Sequence, residues 1–581
     1  MTDAPPPATA GDASVTLATA QASARTAAAS ARAGEATTTG EAIRSAWVVS
    51  GVTLISRVLG LVRDIATAAL FGASWIQDAF VLAFMVPNLF RRLFGEGSLS
   101  AAFVPVYTDA LEHRGIAPAR RLLANVLTAV VLLMAIVTVV VILLGALLPD
   151  AAFAFAFDPA NAAELQKLAL FRDLLPVLTP FVIIICALAV LGGALNVHGR
   201  FFVPAFAPVL LNVAWMAGIA VAWFALPGEP PLQALVVAGS VIVGATLGWL
   251  HHLVPLRRIM RAAGVANAEE RLRPVLDLRD RDMRTIFSRM GPTLLGLGLL
   301  QVSVLIANLI AEAFVAGDGA VSALYYGNRL MQFPLALIGT AMGIAVFPVL
   351  ARHISRGELV SFRRALTDCT RITLFLAIPA SVGLVVLAGP LVEVLFRRGA
   401  FEASAQARTA AVVAFYGLGV IAACVRMLQT RAFFALGDTR TPVRIAVQMT
   451  VLNLVGNIIL VQTPLQEAGL ALSTAVTTTL SCVALSWKLR RMDGASTAPP
   501  GEFASLVRSV VRSCLAAGIM AAGVIPAAAA LGGVEGGWRA FGSLGRVAVL
   551  GGLVAVAIGV FLVAARLLRA PELRELLRRG R

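Results

Sequence analysis

The sequence predicts an all-α integral membrane protein of about fourteen transmembrane helices, built as two related six-helix halves with two further helices at the C-terminus. Three observations carry this reading. The 581-residue chain is 59% hydrophobic and only 14% charged, with a mean hydropathy of +0.85, whereas a soluble domain is about one quarter charged. Apolar runs of about 20 residues or more, the length that spans a hydrocarbon core, follow one another from residue 43 to residue 568. Two pairs of segments recur at nearly one offset. "AAFVPVY" (101–107) resembles "AVFPVLA" (345–351), with Pro105 and Pro348 243 positions apart; "GRFFVP" (199–204) resembles "GDTRTP" (437–442), with Pro204 and Pro442 238 apart. Six is an even number, so both halves cross the bilayer in the same sense, as parallel transporter repeats do.

Residues 1–42 are mostly Ala, Thr, Ser, Gly and Pro. They hold too few large apolar groups to offset ordering entropy and lack the apolar core and cleavage site of a signal peptide. They read as a disordered cytoplasmic tail. The first half, 43–256, has spans expected at 43–70, 76–107, 120–149, 168–197, 202–226 and 231–256. Residues 257–286 mix arginines with Glu269, Glu270, Asp277, Asp280 and Asp282, which predicts a basic cytoplasmic connector lying as a helix on the membrane surface. The second half, 287–490, has spans expected at 287–315, 319–351, 360–390, 405–436, 441–462 and 467–490. Spans at 505–531 and 543–568 and a basic tail complete 491–581. The connections alternate. "EHRGIAPARR", "NVHGRF", "GDTRTPVR" and "KLRRMDG" are basic; "FGASWIQ", "LPGEPPL" and "AGDGA" are acidic or neutral, and "FRRGAFE" is the exception. The excess of arginine in cytoplasmic loops places both termini in the cytoplasm.

The net charge of +16 is spread between apolar runs and forms no single face, so no nucleic-acid partner is expected. The five cysteines form no CxxC pair, and the adjacent His251 and His252 would point different ways around a helix. No metal site, no cofactor and no nucleophile–base arrangement is read, so an enzyme is not expected.

The charges inside the spans carry the chemistry. "SRVLGLVRDI" (56–65) sits within the first apolar run, where each charge costs roughly 2.5–3.5 kcal/mol at the bilayer centre. Arg57 and Asp64, seven apart, share a helical face about 10 Å apart, and Arg63 widens that sector. The second span adds Asp78, Arg91 and Arg92, with Pro87, Gly95 and Gly97 in "VPNLFRRLFGEGS" suited to a bent helix lining a cavity. The eighth span holds Arg329 in "YYGNRLMQFP". Taken singly, these charges have structural readings: Arg63 pairs with Asp64 or Asp78, and Arg91 or Arg92 caps a helix. Taken as a set, arginine exceeds acid, and forked guanidinium donors match phosphate oxygens.

The segment from Ser56 to Tyr107, with "YYGNRLMQFP", "RRGAF" and "FFALGDTRTPVRIA", resembles the MurJ/MviN family of bacterial lipid II flippases, within the multidrug/oligosaccharidyl-lipid/polysaccharide exporter superfamily. The resemblance covers about residues 43–570. It implies two lobes in a V, with the last two helices lining a hydrophobic groove, and a bacterial inner-membrane location. The implied substrate is lipid II, undecaprenyl-diphosphate carrying a disaccharide-pentapeptide, moved by alternating access. Arg57, Arg63, Arg329 and Arg91 or Arg92 are the implied diphosphate-binding residues. Asp64, Asp78, Ser56, Asn88 and Ser322 are expected around the cavity. Some members hold sodium with carboxylates where this chain has Asn308, Asn453 and Asn457; neutral amides favour interhelical hydrogen bonding there. Coupling to the membrane potential or a monovalent cation is expected, with a monomer whose partners are lipid II, bilayer lipids and cell-wall synthesis proteins. Three other readings share part of the pattern: a flippase for another polyprenyl-diphosphate-linked oligosaccharide, a cation-coupled drug exporter that relies on buried carboxylates, and a membrane scaffold whose arginines are replaceable. Deleting the tail up to Thr39 should leave growth-supporting activity unchanged at equal membrane level; loss of activity would assign that tail a partner.

Overall fold

The computed structural model describes residues 48–262, 273–492, 502–532 and 542–579; the tail through residue 47 and the middle of the connector lie outside them. Among the described residues the regular structure is helical throughout. The first half comprises α1 (48–71), α2 (Trp75–Phe90), α3 (Leu99–Arg114), α4 (Ile116–Leu147), α5 (Ala162–Leu178), α6 (Phe181–Val197), α7 (Phe202–Ala225) and α8 (Pro230–Ala262). The second comprises α9 (Arg281–Phe314), α10 (Ala320–Pro334), α11 (Ala341–Ser355), α12 (Leu359–Val386), α13 (Ala388–Phe396), α14 (Ala403–Ala435), α15 (Arg440–Val461) and α16 (Glu467–Met492). α17 (Glu502–Gly532), α18 (Ser543–Leu567) and α19 (Pro571–Arg579) follow. The described part of each expected span falls on helix, with 76–107, 168–197, 319–351 and 360–390 each divided between two successive helices; residues 43–47 of the first lie outside the described residues. Eleven segments among the described residues are long and apolar enough to cross a membrane, fewer than fourteen. α1 is not among them, because Arg57, Arg63 and Asp64 interrupt its apolar character.

Each half has a core of its own. Phe80, Leu174, Phe181, Trp215 and Val241 fill one in the first half; Leu350, Phe362, Leu428, Phe433 and Leu485 fill one in the second. α17 and α18 pack on α12, with Phe375 and Phe561 rings 5.1 Å apart. α19 is fastened by the fully buried Glu572, whose Oε1 accepts from Arg371 Nε at 3.0 Å and Ser509 Oγ at 2.7 Å.

The second span of each half winds in the same unusual way. α2 runs into a π-helical stretch over Arg91–Ser98 before α3, and α10 into another over Leu335–Thr340 before α11. Pro87 and Pro334 precede them. Proline removes a backbone donor and crowds the preceding turn, and a wider turn relieves that crowding. The two stretches begin 244 positions apart, close to the offset of Pro105 and Pro348.

Among the described connector residues, 273–280 depart from the expected surface helix. α8 continues to Ala262, and α9 begins at Arg281, earlier than the expected 287. Between them, residues 273–280 run as a non-helical strap along α4. The Asn125 amide reads both backbone groups of Asp277, donating to its carbonyl at 2.9 Å and accepting from its N–H at 2.8 Å; Thr128 Oγ1 accepts from Val275 N at 3.2 Å. Asp280 then caps α9, accepting from Asp282 N and Met283 N. Pro274 and a good cap residue stop a helix here. As a result α9 belongs to both halves. Its Met283, Ile286 and Met290 pack with Phe94, Leu99 and Met134 of the first, while Ile310 and Ala311 pack with Val461 and Ala471 of the second. Asn125→Ala removes two hydrogen bonds of about 1 kcal/mol each. Proteolysis within 273–280 should accelerate in detergent while helix content holds; an unchanged cleavage rate would show that Asn125 does not hold the strap.

Candidate functional site

α1 is packed along only part of its length. Arg57 and most of its neighbours from residue 50 to 58 are exposed, whereas Arg63, Asp64, Thr67 and Ala68 are buried. Where α1 becomes buried, a charged node joins the halves. Arg63, 7% exposed, donates to Asp64 Oδ1 from Nη2 at 2.7 Å and Nε at 3.1 Å. Its Nη1 donates to Asn212 Oδ1 of α7 at 3.0 Å, and its guanidinium lies 4.3 Å from the Trp215 ring centroid. Asn212 is oriented in turn by donating to the Ser56 carbonyl at 3.0 Å. From α10, Arg329 Nε lies 2.9 Å from Asp64 Oδ2, the Tyr325 hydroxyl donates to Asp64 Oδ1 at 3.1 Å, and Arg329 Nη2 donates to that hydroxyl at 3.1 Å. Two guanidinium groups thus share one carboxylate, which leaves the node with one net positive charge. Arg63 is enclosed on all sides; the Arg329 side chain keeps 33% exposure.

The other expected residues fall elsewhere. Arg57 is exposed, about 9 Å along the axis from Arg63. Arg91 Nε donates to Asn88 Oδ1 at 2.9 Å and Arg92 Nη1 to Gln301 Oε1 of α9 at 3.2 Å; both sit in the π-helical stretch, outside the node. Asp78 does not pair with Arg63. It caps the start of α10 from across the halves, accepting from Gly319 N at 2.6 Å, Ser322 N at 2.8 Å and Ser322 Oγ at 2.5 Å. Ser322, expected in a cavity lining, is therefore fully buried. Helix N-termini present unpaired donors and a positive dipole end, and a buried aspartate meets both needs.

Around the expected amides, Asn453 Nδ2 donates to Ser473 Oγ at 3.1 Å and to the Thr474 and Thr477 hydroxyls. Asn457 Nδ2 donates to Asn453 Oδ1 at 3.4 Å, and Asn308 Nδ2 to the Val304 carbonyl at 2.8 Å. Asn308 Oδ1 and Asn457 Oδ1 are buried without a hydrogen-bond partner, the kind of neutral oxygens a monovalent cation takes. No cluster of three or more His, Cys, Asp or Glu suited to a metal occurs among the described residues. Sequence reading missed Asn212, Trp215, Tyr325 and Lys167. Lys167 alone carried a signal, as one of two lysines in an arginine-rich chain.

Beyond the node, at the Gly72 end of α1, the halves close on each other. Ala400 N donates to the Ala69 carbonyl at 2.9 Å, and the Tyr326 hydroxyl to the Gly72 carbonyl at 3.4 Å. Gly72 (φ 68°) and Gly399 (φ 57°) occupy the left-handed region, which favours glycine. A Cβ on Gly72 would sit 2.3 Å from Ala400 O, and one on Gly399 2.2 Å from Ala69 O. Behind the loops, Val81, Leu82, Phe157 and Leu168 pack with Val321, Leu324 and Tyr416, and Ala68 with Tyr326, Phe396 and Phe401. At the Arg57 end, the described apolar cores stay within their own halves, apart from α9.

A family model described as lipid II flippase MurJ matches residues 67–534. The lipid II flippase MurJ of Burkholderia cenocepacia is 33% identical over 478 residues, covering 82% of this chain and 89% of that protein. A probable lipid II flippase MurJ of Vibrio cholerae is 35% identical over 431 residues, covering 73% and 78%. Among solved structures, lipid II flippase MurJ in an inward closed conformation superposes with a TM-score of 0.70 at 19% identity, covering 91% of this chain and 99% of that one. An inward-facing multidrug resistance MATE family transporter of the MOP superfamily gives 0.60 at 15% identity, covering 78% and 100%. These two likenesses speak to the fold alone.

Cysteines replacing Ala69 and Ala400 should cross-link in the membrane, since their backbones are hydrogen-bonded. Adding Gly399→Val should cut the cross-linking yield several-fold, and an undiminished yield would show that the loops meet without the close approach described.

Proposed function

The chain belongs to the lipid II flippase MurJ family, and we propose that it carries lipid II from the cytoplasmic to the outer leaflet of a bacterial inner membrane, for peptidoglycan synthesis. The observation that carries this reading is the node in which Arg63 of one half and Arg329 of the other share Asp64. The excess of arginine in cytoplasmic loops makes the Gly72 end the outer one, with both termini inside. The halves are then joined on the outer side, the arrangement that receives a substrate from the cytoplasm.

In this reading the polyprenyl tail stays in lipid and only the head group needs a polar path. Arg57, exposed on the inner part of α1, meets the diphosphate first. Arg329 is the node arginine with accessible surface, so phosphate oxygens reach it next, competing with Asp64 as its counter-ion. Arg63 is held by Asn212 and Trp215 and keeps positive potential at the midplane. Arg91 and Arg92 support the bend in α2 and α3. Contact with residues from both halves gives the substrate different affinities for the two access states, which is what shifts an equilibrium between them. No chemical bond changes, so no catalytic residue is assigned, and the protein works as a monomer. An inside-negative potential favours outward movement of a diphosphate by roughly 2.3 kcal/mol per elementary charge per 100 mV; a monovalent cation at the Asn308 and Asn457 oxygens is the other candidate coupling. A drug exporter of the same superfamily is less well supported, because its cation coupling calls for buried carboxylates in the cavity and this node carries net positive charge.

Arg63→Ala and Arg329→Ala should each abolish precursor flipping at unchanged membrane level, and Arg63→Lys should retain part of it, because a point charge loses the bidentate geometry. Growth supported by either alanine variant at native expression would remove that residue from the substrate path. A cysteine at Ala66, in a background without native cysteines, should change its rate of labelling by an impermeant external thiol reagent when precursor is depleted. Arg329→Ala should make that rate insensitive to precursor. A constant rate in a protein that still flips lipid would refute alternation about this node.

A further inference from the structure

We propose that Lys167 is a positioning residue for transport: it pins the outer closure by holding carboxylates of both halves, and its release is required for outward opening. The inference rests on the alternating-access reading and names the side chain that sets its balance.

Lys167 lies on α5 of the first half and is 2% exposed. Its Nζ meets three carboxylates: Glu312 Oε1 at 2.6 Å, Asp318 Oδ1 at 3.2 Å and Glu164 Oε1 at 3.4 Å. Glu164 is one turn away on the same helix. Glu312 closes α9, and Asp318 lies in the loop that leads to α10, so two of the three partners come from across the halves. The Glu312 side chain is 2% exposed, whereas Asp318 is 46% exposed at the rim. The same loop carries Gly319, whose N–H binds Asp78, and it is held by Arg408 of α14, which donates to the Asp318 carbonyl at 2.6 Å and to Glu467 Oε1 at 2.6 Å. The pin therefore sits beside the cap of α10 and shares its loop.

The residue type fits the task. Of 48 basic residues only Lys167 and Lys488 are lysine. An ammonium offers three donors about one point, which suits three carboxylates arriving from three segments; a planar guanidinium fork does not. The charges also explain reversibility. When the halves part, Glu164 stays with Lys167 as a partner on its own helix, while Glu312 and Asp318 pass into a water-filled opening that solvates them. In the closed state the same two acids are held only if Lys167 faces them, since removing one partner of a buried pair leaves an uncompensated charge.

The test uses the full-length protein in membranes, without native cysteines, and the Ala66→Cys reporter labelled from outside. Lys167→Gln should raise the labelling rate roughly tenfold or more, as expected for loss of a buried partner. Asp318→Asn at the rim should raise it less, and Lys167→Arg should stay near the parent. The exchanged pair Lys167→Glu with Glu312→Lys should bring the rate back down and restore precursor flipping that Lys167→Gln loses. A merely structural lysine would lower the membrane level of Lys167→Gln and leave the labelling rate of the recovered protein at the parental value. A parental labelling rate in Lys167→Gln at normal membrane level overturns the proposal, as does a raised rate in Lys167→Gln that the exchanged pair leaves unchanged. If Lys167→Gln is not recovered in the membrane, Asp318→Asn decides: a parental rate there overturns the pin and a raised rate supports it. Failure of the alternating-access reading looks different: labelling would then ignore precursor in every variant, the parent included.

Discussion

Among the described residues Asp64 is the one acid that meets two arginines approaching from opposite halves of the molecule, and much of the central geometry follows from that shortage. A guanidinium in hydrocarbon must be paired or solvated. Arg63 and Arg329 could each be satisfied by an acid on a neighbouring helix of the same half, and then the halves would be electrically indifferent to each other. With a single carboxylate between them, the pairing is complete only when α1 and α10 are adjacent. Asn212, Trp215 and Tyr325 fill the remaining donor and face positions, and each is on a helix whose placement the node thereby constrains.

The closure beyond the node works by close backbone approach. Bulky side chains would hold the loops apart. Gly72 and Gly399 let carbonyl and amide come within hydrogen-bonding distance across the halves, and Asp78 takes up the first N–H groups of α10. The backbone link is worth about 1 kcal/mol and those to the Asp78 carboxylate about 1.5–3 kcal/mol each, enough to set register and little enough to be exchanged for water. The apolar contacts of Val81, Leu82 and Phe157 with Val321 and Leu324 exclude water from them. α9 links the two ends, its start packing in the first-half core and its end among the residues behind the closed loops.

How much of this was legible follows from what each signal depends on. The helical spans could be read because a hydrocarbon core demands long apolar runs regardless of partners. The repeat could be read from two proline pairs, and the matching π-helical stretches after Pro87 and Pro334 supply its structural counterpart. Arg63, Asp64 and Arg329 stood out because a charge in an apolar run needs a reason. What could not be read was pairing across distance. Asp78 looked like a partner for Arg63, and only the fold brings it to Gly319 and Ser322. The 273–280 strap looked like part of a basic helical connector on the membrane surface, because nothing local shows that Asn125, some 150 positions earlier, will read its backbone. Asn212 and Trp215 were invisible for the same reason: an asparagine or tryptophan in a membrane helix carries no mark of what it will face.

The node also explains why an acid belongs in a path proposed for an anion. Without one, two arginines at the midplane would repel each other and keep the halves apart, and the empty protein would bear the full cost of two unpaired charges. Asp64 removes that cost in the conformation described while leaving one positive charge over. It does so unequally. Arg63 donates two hydrogen bonds to Asp64 and a third to Asn212, whereas Arg329 Nε faces the other Asp64 oxygen and its side chain stays partly exposed. An arriving diphosphate offers more charge and more acceptor oxygens than a single carboxylate oxygen does. On the proposed function it competes at Arg329, one of the contacts that tie the second half to the first, and leaves the Arg63 pairing in place. On the proposed function, substrate binding and loosening of the inter-half tie are then the same event, and the weakest-held arginine is where the two must coincide.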